Sequence, residues 1–315
     1  MEYRKLGRSG LKVSEVGLGS WLTVGHALDE AGTAAIVRKA YDLGVNFFDT
    51  ANVYAGGAAE EIVGKAVRDL PRDTYVLATK VFFPMGEKPN QQGLSRKHIL
   101  DQADASLRRL GADYMDLYQA HRFDEDTPLD ETLRAFDDLV RAGKVRYVGT
   151  SMWTAEQIMQ AHALAERMNL DKIVSNQPSY NMLRREVERD VIPACEKLGV
   201  GQVAYSPLAQ GVLTGKYSGG KIPPGSRAAD PKREGRFISG YLTEDAVGRV
   251  ERLQAVAGEL GMSMPQLALA WCLRHENVSS VICGAKRSEQ IEENAAASGK
   301  AIPEDALRRI DDILS

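Results

Sequence analysis

The chain has 315 residues, 43% of them apolar and 26% charged, and carries a net charge of −3. That balance belongs to a globular protein with a large core and gives no broad basic surface for nucleic acid. Three cysteines without CxxC spacing make neither a disulfide framework nor a zinc site, no apolar run has the ~18 residues of a membrane span, and the opening shows no signal peptide, so a cytoplasmic protein with no membrane partner is expected.

In chain order, Tyr3–Lys5 and Leu11–Val13 flank Gly7-Arg8-Ser9-Gly10 and predict a short hairpin. Eight brief runs rich in Val, Ile, Leu, Phe or Tyr then read as buried strands. They are Ser14–Leu18, Val45–Phe48, Tyr75–Thr79, Met115–Tyr118, Val145–Gly149, Lys172–Ser175, Val200–Ala204 and Val278–Ile282. Helical spacing lies between them, as in Leu129, Leu133, Phe136 and Val140, or Ile158, Ala161, Leu164 and Met168. Thr154 is placed to cap one helix, and Gly44, Gly111, Gly143 and Gly199 are placed to end others. The repeat of about 30 residues is that of a βαβ unit, which forces parallel pairing. A count of eight favours a (β/α)8 TIM barrel of the α/β class over an open doubly wound sheet. The hairpin would cover the barrel's bottom. A longer interval follows the seventh run: a loop over 206–240 rich in Gly, Pro, Lys and Arg, then helices near Thr243–Leu260 and Ser263–Arg274. Pro303–Ser315 reads as a last helix with Leu307, Ile310 and Leu314 facing inward. No linker divides the chain, so one barrel domain over 1–315 is expected.

Gly17-Leu18-Gly19 lacks the third glycine of a dinucleotide fingerprint, Gly211–Lys216 is one residue short of a P-loop, and no metal-ligand spacing occurs. Parallel barrels do their chemistry at the C-terminal ends of their strands. There the sequence places Asp49 with Tyr54 five residues on, Lys80, and His121. Singly, each has an ordinary structural role open to it. A lysine at a barrel mouth needs a carboxylate partner, however, and Asp49 on the adjacent strand can supply it. A cation beside a tyrosine is expected to lower its pKa from ~10 and make it a usable acid. His121 can orient a substrate oxygen. This set suits carbonyl reduction, with the hydride coming from a bound cofactor.

These residues, with Asp113-Tyr114-Met115-Asp116-Leu117-Tyr118 leading to His121, resemble the aldo-keto reductases over nearly the whole chain. The opening Arg4-Lys5-Leu6-Gly7-Arg8-Ser9-Gly10 and the stretch Ala204–Gly211 resemble the branch that holds potassium-channel β-subunits and their bacterial relatives. The resemblance implies NADPH-dependent reduction of a small aldehyde or ketone by the tetrad Asp49, Tyr54, Lys80 and His121, with Tyr54 as the acid. It also implies that Ser151 and Gln177 hold the nicotinamide amide and Tyr205 stacks on its ring. Ser206, Leu208, Gly211 and Lys216 would line the pyrophosphate, with Gly19, Trp21 and Pro207 beside the cofactor and Arg227 over the adenosine. After Gly284, Lys286 and Arg287 would pair the 2′-phosphate of NADP, and Gln290, Glu293 and Asn294 would meet the adenine. Trp21, Tyr54, His121 and Phe82, with Phe83 and Met85 nearby, would shape the substrate pocket. Met152 stands where relatives often carry a polar residue. Some channel β-subunits lack the tetrad histidine that this chain keeps. A homo-oligomer, and a regulatory redox-sensing subunit with little turnover, are the other roles the branch allows. A Schiff base on Lys80 is disfavoured by its pairing with Asp49.

Overall fold

A computed structural model describes residues 1–230 and 235–315, so part of the 206–240 loop lies outside the described residues. The chain opens with an antiparallel hairpin of β1 (Tyr3–Lys5) and β2 (Lys12–Ser14). The described residues hold ten strands and eleven α-helices, with short 3-10 turns between them. The eight further strands are β3 (Val16–Gly19), β4 (Phe47–Asp49), β5 (Val76–Val81), β6 (Met115–Ala120), β7 (Val145–Ser151), β8 (Ile173–Gln177), β9 (Gly201–Tyr205) and β10 (Val278–Cys283). All eight pair in parallel and close into a barrel, β10 meeting β3. The closing seam is tight: a Cβ at Gly17 or Gly19 would lie 2.6 or 2.5 Å from the Ile282 side chain. Close packing of strands accounts for Gly17-Leu18-Gly19 without any dinucleotide fingerprint.

Helices α1 (Glu30–Asp42), α2 (Ala58–Val67), α3 (Arg96–Leu110), α4 (Leu129–Arg141), α5 (Ala155–Met168) and α6 (Val191–Leu198) cover the strands in sequence. The short α7 (Gly235–Ile238) precedes α8 (Glu244–Glu259), α9 (Met264–Leu273), α10 (Ser288–Ala295) and α11 (Glu304–Leu314). Thr154 caps α5 in a capping box with Gln157, and Gly111 and Gly199 end α3 and α6 in the left-handed conformation.

Side chains alternate along each strand, and the alternation builds the barrel interior in layers. Phe47, Ala78, Leu117 and Val203 form the lower, apolar layer with Leu6 and Val13 of the hairpin. Two residues further along their strands stand Asp49, Lys80, Gln119 and Tyr205. The interior therefore turns from apolar to polar as the strands reach their C-terminal ends. The hairpin lies at the other end: Arg4 donates to the carbonyls of His275 and Val278 at 3.0 and 2.9 Å, where β10 begins. Its second strand is one residue later than the apolar pattern predicts. The predicted run Ser14–Leu18 is divided at Glu15 between β2 and β3, because Glu15 turns aside to pair with Arg4 at 2.7 Å.

Candidate active site

At the upper layer, Lys80 is fully buried and donates to Asp49 Oδ1 at 2.5 Å and to the Thr50 carbonyl at 2.8 Å. Asp49 Oδ2 accepts from Gln119 Nε2 at 3.2 Å and Gln177 Nε2 at 3.0 Å. Burial lowers the Lys80 pKa, but the Asp49 carboxylate opposes that effect and holds the ammonium in place. Tyr54 sits on a turn, Tyr54–Gly57, that follows β4. Thr50 N to the Ala78 carbonyl (2.9 Å) and Asn52 N to the Lys80 carbonyl (3.2 Å) continue the β4–β5 pairing up to this turn. Gly57, at φ 102°, lets the Arg109 stem pack beneath: a Cβ there would stand 3.1 Å from Arg109 Cδ. Tyr54 Oη lies 3.4 Å from His121 Nε2, and Lys80 Nζ lies 5.2 Å from the Tyr54 ring centroid.

One expectation is reversed here. Lys80 does not make Tyr54 more acidic: burial, then the Asp49 charge, push the phenol well above its ordinary value, with Arg122 opposing. The largest cause is burial of the phenol itself, and the Asp49 carboxylate that pairs with Lys80 adds to it. Burial, helped by the charges of Lys80 and Arg122, holds His121 well below the usual histidine value, so its ring is neutral at pH 7.

Tyr54 and His121 open onto a cleft of about 920 Å³. The structure brings most of the sequence-chosen residues onto its walls. Gly19, Trp21, Ser151, Gln177 and Tyr205 lie there with Asp49, from the ends of β3, β4 and β7 to β9. Ser206, Pro207, Leu208, Gly211, Lys216 and Arg227 line it from the long loop. Gly284, Lys286, Arg287, Gln290, Glu293 and Asn294 do so around the start of α10. Lys80 sits beneath the wall rather than on it. Phe82 is a correction: it packs against the core, and its neighbour Phe83 is the one on the wall, with its ring 4.9 Å from that of His121. One residue of difference reverses the side a chain faces where the backbone is extended. Met85 is not on the wall either.

Sequence reasoning missed Gln119, Gln210, Arg122 and Phe237. Gln119 was readable from alternation, two residues before His121. Gln210 donates to Ser206 Oγ at 2.5 Å and accepts from Arg227, tying the long loop together. Phe237 meets Trp21 edge-on at 4.9 Å, a contact between distant segments that no local pattern signals. Met152 points its sulfur at Ser179 N (3.3 Å) and Tyr205 Oη (3.4 Å).

Leu22, Ala55, Met152, Ser206, Ala209 and Gln210 all have positive φ without being glycine, and all follow barrel strands at this mouth. Left-handed backbone of this kind is costly and gathers at functional sites. A Cβ on Gly211 would stand 3.0 Å from Lys216 Nζ, and one on Gly284 3.1 Å from Thr23 Cγ2, narrowing the cleft at both.

A closed parallel barrel with an ionisable cluster and a long cleft at its C-terminal mouth defines a class of barrel proteins built for small-molecule chemistry. The sequence model of the aldo/keto reductase family matches residues 15–315, and the chain belongs to that family, whose members are oxidoreductases that generally bind NADP(H). The chain is 46% identical over 300 residues to a probable voltage-gated potassium channel subunit beta of Arabidopsis thaliana, covering 94% of this chain and 91% of the relative. A protein of the same description from Oryza sativa subsp. japonica matches with the same identity and coverage. A putative voltage-gated potassium channel subunit beta of Schizosaccharomyces pombe is 44% identical, covering 99% of this chain and 93% of the relative. No helix among the described residues is long and apolar enough to cross a membrane.

Proposed function

We propose that this chain reduces small aldehydes or ketones with NADPH. The observation that carries the reading is the meeting of Asp49, Lys80, Tyr54 and His121 at a cleft that also gathers Lys216, Arg227, Lys286 and Arg287. Ser151 and Gln177 would hold the nicotinamide amide and Tyr205 its ring. Lys286 and Arg287, before α10, would take the 2′-phosphate and favour NADP over NAD. Bound NADPH supplies the hydride for the carbonyl carbon. Tyr54 Oη gives its proton to the carbonyl oxygen. His121, being neutral, orients that oxygen by a hydrogen bond. Lys80, fixed by Asp49, keeps a positive charge beneath the phenol as it loses its proton. Trp21 and Phe237 wall off water. A cytoplasmic setting fits the three cysteines, which are buried and unpaired, with thiols pushed by burial to about 11 at Cys195 and about 12 at Cys283.

A second reading, an NADP(H)-binding redox-sensing subunit with little turnover that assembles with itself or a larger partner, is favoured by the names of the relatives. The test is an NADPH titration of the purified chain, then absorbance assays over a panel of aldehydes and ketones. The reductase reading expects turnover that Tyr54→Phe lowers about a hundredfold or more. Normal turnover by Tyr54→Phe sinks the mechanism; tight binding with no turnover of any carbonyl selects the second reading.

A further inference from the structure

Arg122 lies at the reacting end of the cleft, and the mechanism above gives it no task. It follows His121 directly and donates from Nη1 to the His121 carbonyl at 2.5 Å. Its guanidinium lies over the Phe83 ring, with Cζ 5.3 Å from the centroid. Arg109, Arg72 and Arg274 each meet a carboxylate at 2.6 Å. Among the described residues no carboxylate pairs with Arg122, although it is half-buried.

A half-buried guanidinium without a counter-ion is costly unless an anion reaches it. One bond to the backbone and one aromatic face fix its plane, and its other N–H groups are left to meet an oxyanion in a fork. Its position is at the reacting end of the cleft: the Phe83 ring that it covers lies 4.9 Å from the His121 ring, and Arg122 is among the charges that act on Tyr54, Lys80 and His121. Phe83, Trp21 and Phe237 give the same cleft aromatic surface.

The geometry points to Arg122 as the group that selects the substrate: it receives a carboxylate or phosphate carried by the same molecule whose carbonyl meets Tyr54 and His121. The inference rests on the reductase reading and narrows its substrate class to carbonyl compounds with an anionic end. Another role open to the residue is to ease proton release from Tyr54, and that role would serve charged and neutral substrates equally.

The test measures NADPH oxidation by the full chain with matched pairs: butanal against succinic semialdehyde, and glycolaldehyde against glycolaldehyde phosphate. Expected is a kcat/KM about tenfold or more higher for the anionic member of at least one pair, the scale of one charge-assisted hydrogen bond. The pair that shows it identifies the oxyanion. Arg122→Gln should collapse that ratio, mainly through KM, and Arg122→Lys should keep part of it. The absence of any preference in the unaltered chain overturns the inference whatever the variants do. So does a preference that survives Arg122→Gln, or an equal loss for both members, which would assign Arg122 to the acid. In those cases turnover of neutral aldehydes leaves the reductase reading standing; no turnover of any aldehyde by a chain that binds NADPH discards both.

Discussion

Tyr54 and His121 are displaced from their ordinary pKa values in opposite directions, and together they set a pH dependence. A raised phenol keeps its proton below the raised value, so the acid form that the proposed reduction needs is present across neutral pH and is lost only as pH climbs past it. A lowered imidazole has already shed its proton well below pH 7. Neither group titrates between about pH 6 and 9, so kcat/KM for reduction should be flat there. The reverse oxidation needs the phenolate and should rise with pH over the same span. Rate profiles in both directions check this, and a reduction profile with a midpoint near ~6.5 would show that His121 keeps an ordinary pKa. The positions of the four residues were legible because each closes or follows an apolar run. The sign of the Tyr54 shift was not, because it depends first on how deeply the phenol is buried and then on the nearby Asp49 charge, which spacing along the chain does not reveal.

Strands and helices show where local pattern stops being informative. Each apolar run ends one or more residues before its strand does, since Asp49, Ser151, Gln177 and Tyr205 belong to the strands but face the cleft, and Lys80 and Gln119 belong to them but lie in the polar layer beneath it. Hydrophobicity marks a strand only where its surroundings are apolar, so the apolar runs stop short of the polar strand ends. Helix contacts were hidden too. Gly64 lies inside α2, where alanine ordinarily adds about 1 kcal/mol to helix stability. Here a Cβ would stand 2.2 Å from the Leu110 carbonyl oxygen of α3, and the obstacle is backbone, not a flexible side chain. Gly64→Ala should therefore destabilise the protein by about 1–3 kcal/mol, because overpacking against backbone outweighs helix propensity. Thermal unfolding measures the sign directly, and a rise in Tm would mean that α2 and α3 separate without cost.

For the molecule as a whole, the repeat of strand and helix was enough to close the barrel, because eight parallel strands joined by crossover helices have few other ways to cover both faces. The course of the described part of the 206–240 loop was not readable: it depends on Gln210 and Arg227 meeting within the loop and on Phe237 meeting Trp21 far away in sequence. The same division separates stability from chemistry along the barrel axis. Leu6 is fully buried among Val13, Phe47, Val76, Ala78, Leu117, Val203 and Ile282 at the end of the barrel away from Tyr54. Leu6→Ala removes contacts from this lower layer and leaves a cavity, at a cost of about 2–5 kcal/mol. At ~2–4 °C per kcal/mol for a chain of this size class, the Tm should fall by several degrees. The polar layer of Asp49, Lys80 and Gln119 is bonded within itself, two residues along each strand, so its geometry does not depend on Leu6. At temperatures where the variant remains folded, NADPH affinity and kcat should stay at the level of the unaltered chain. A fall in kcat without a fall in Tm would mean instead that the hairpin end of the barrel bears directly on the site above it.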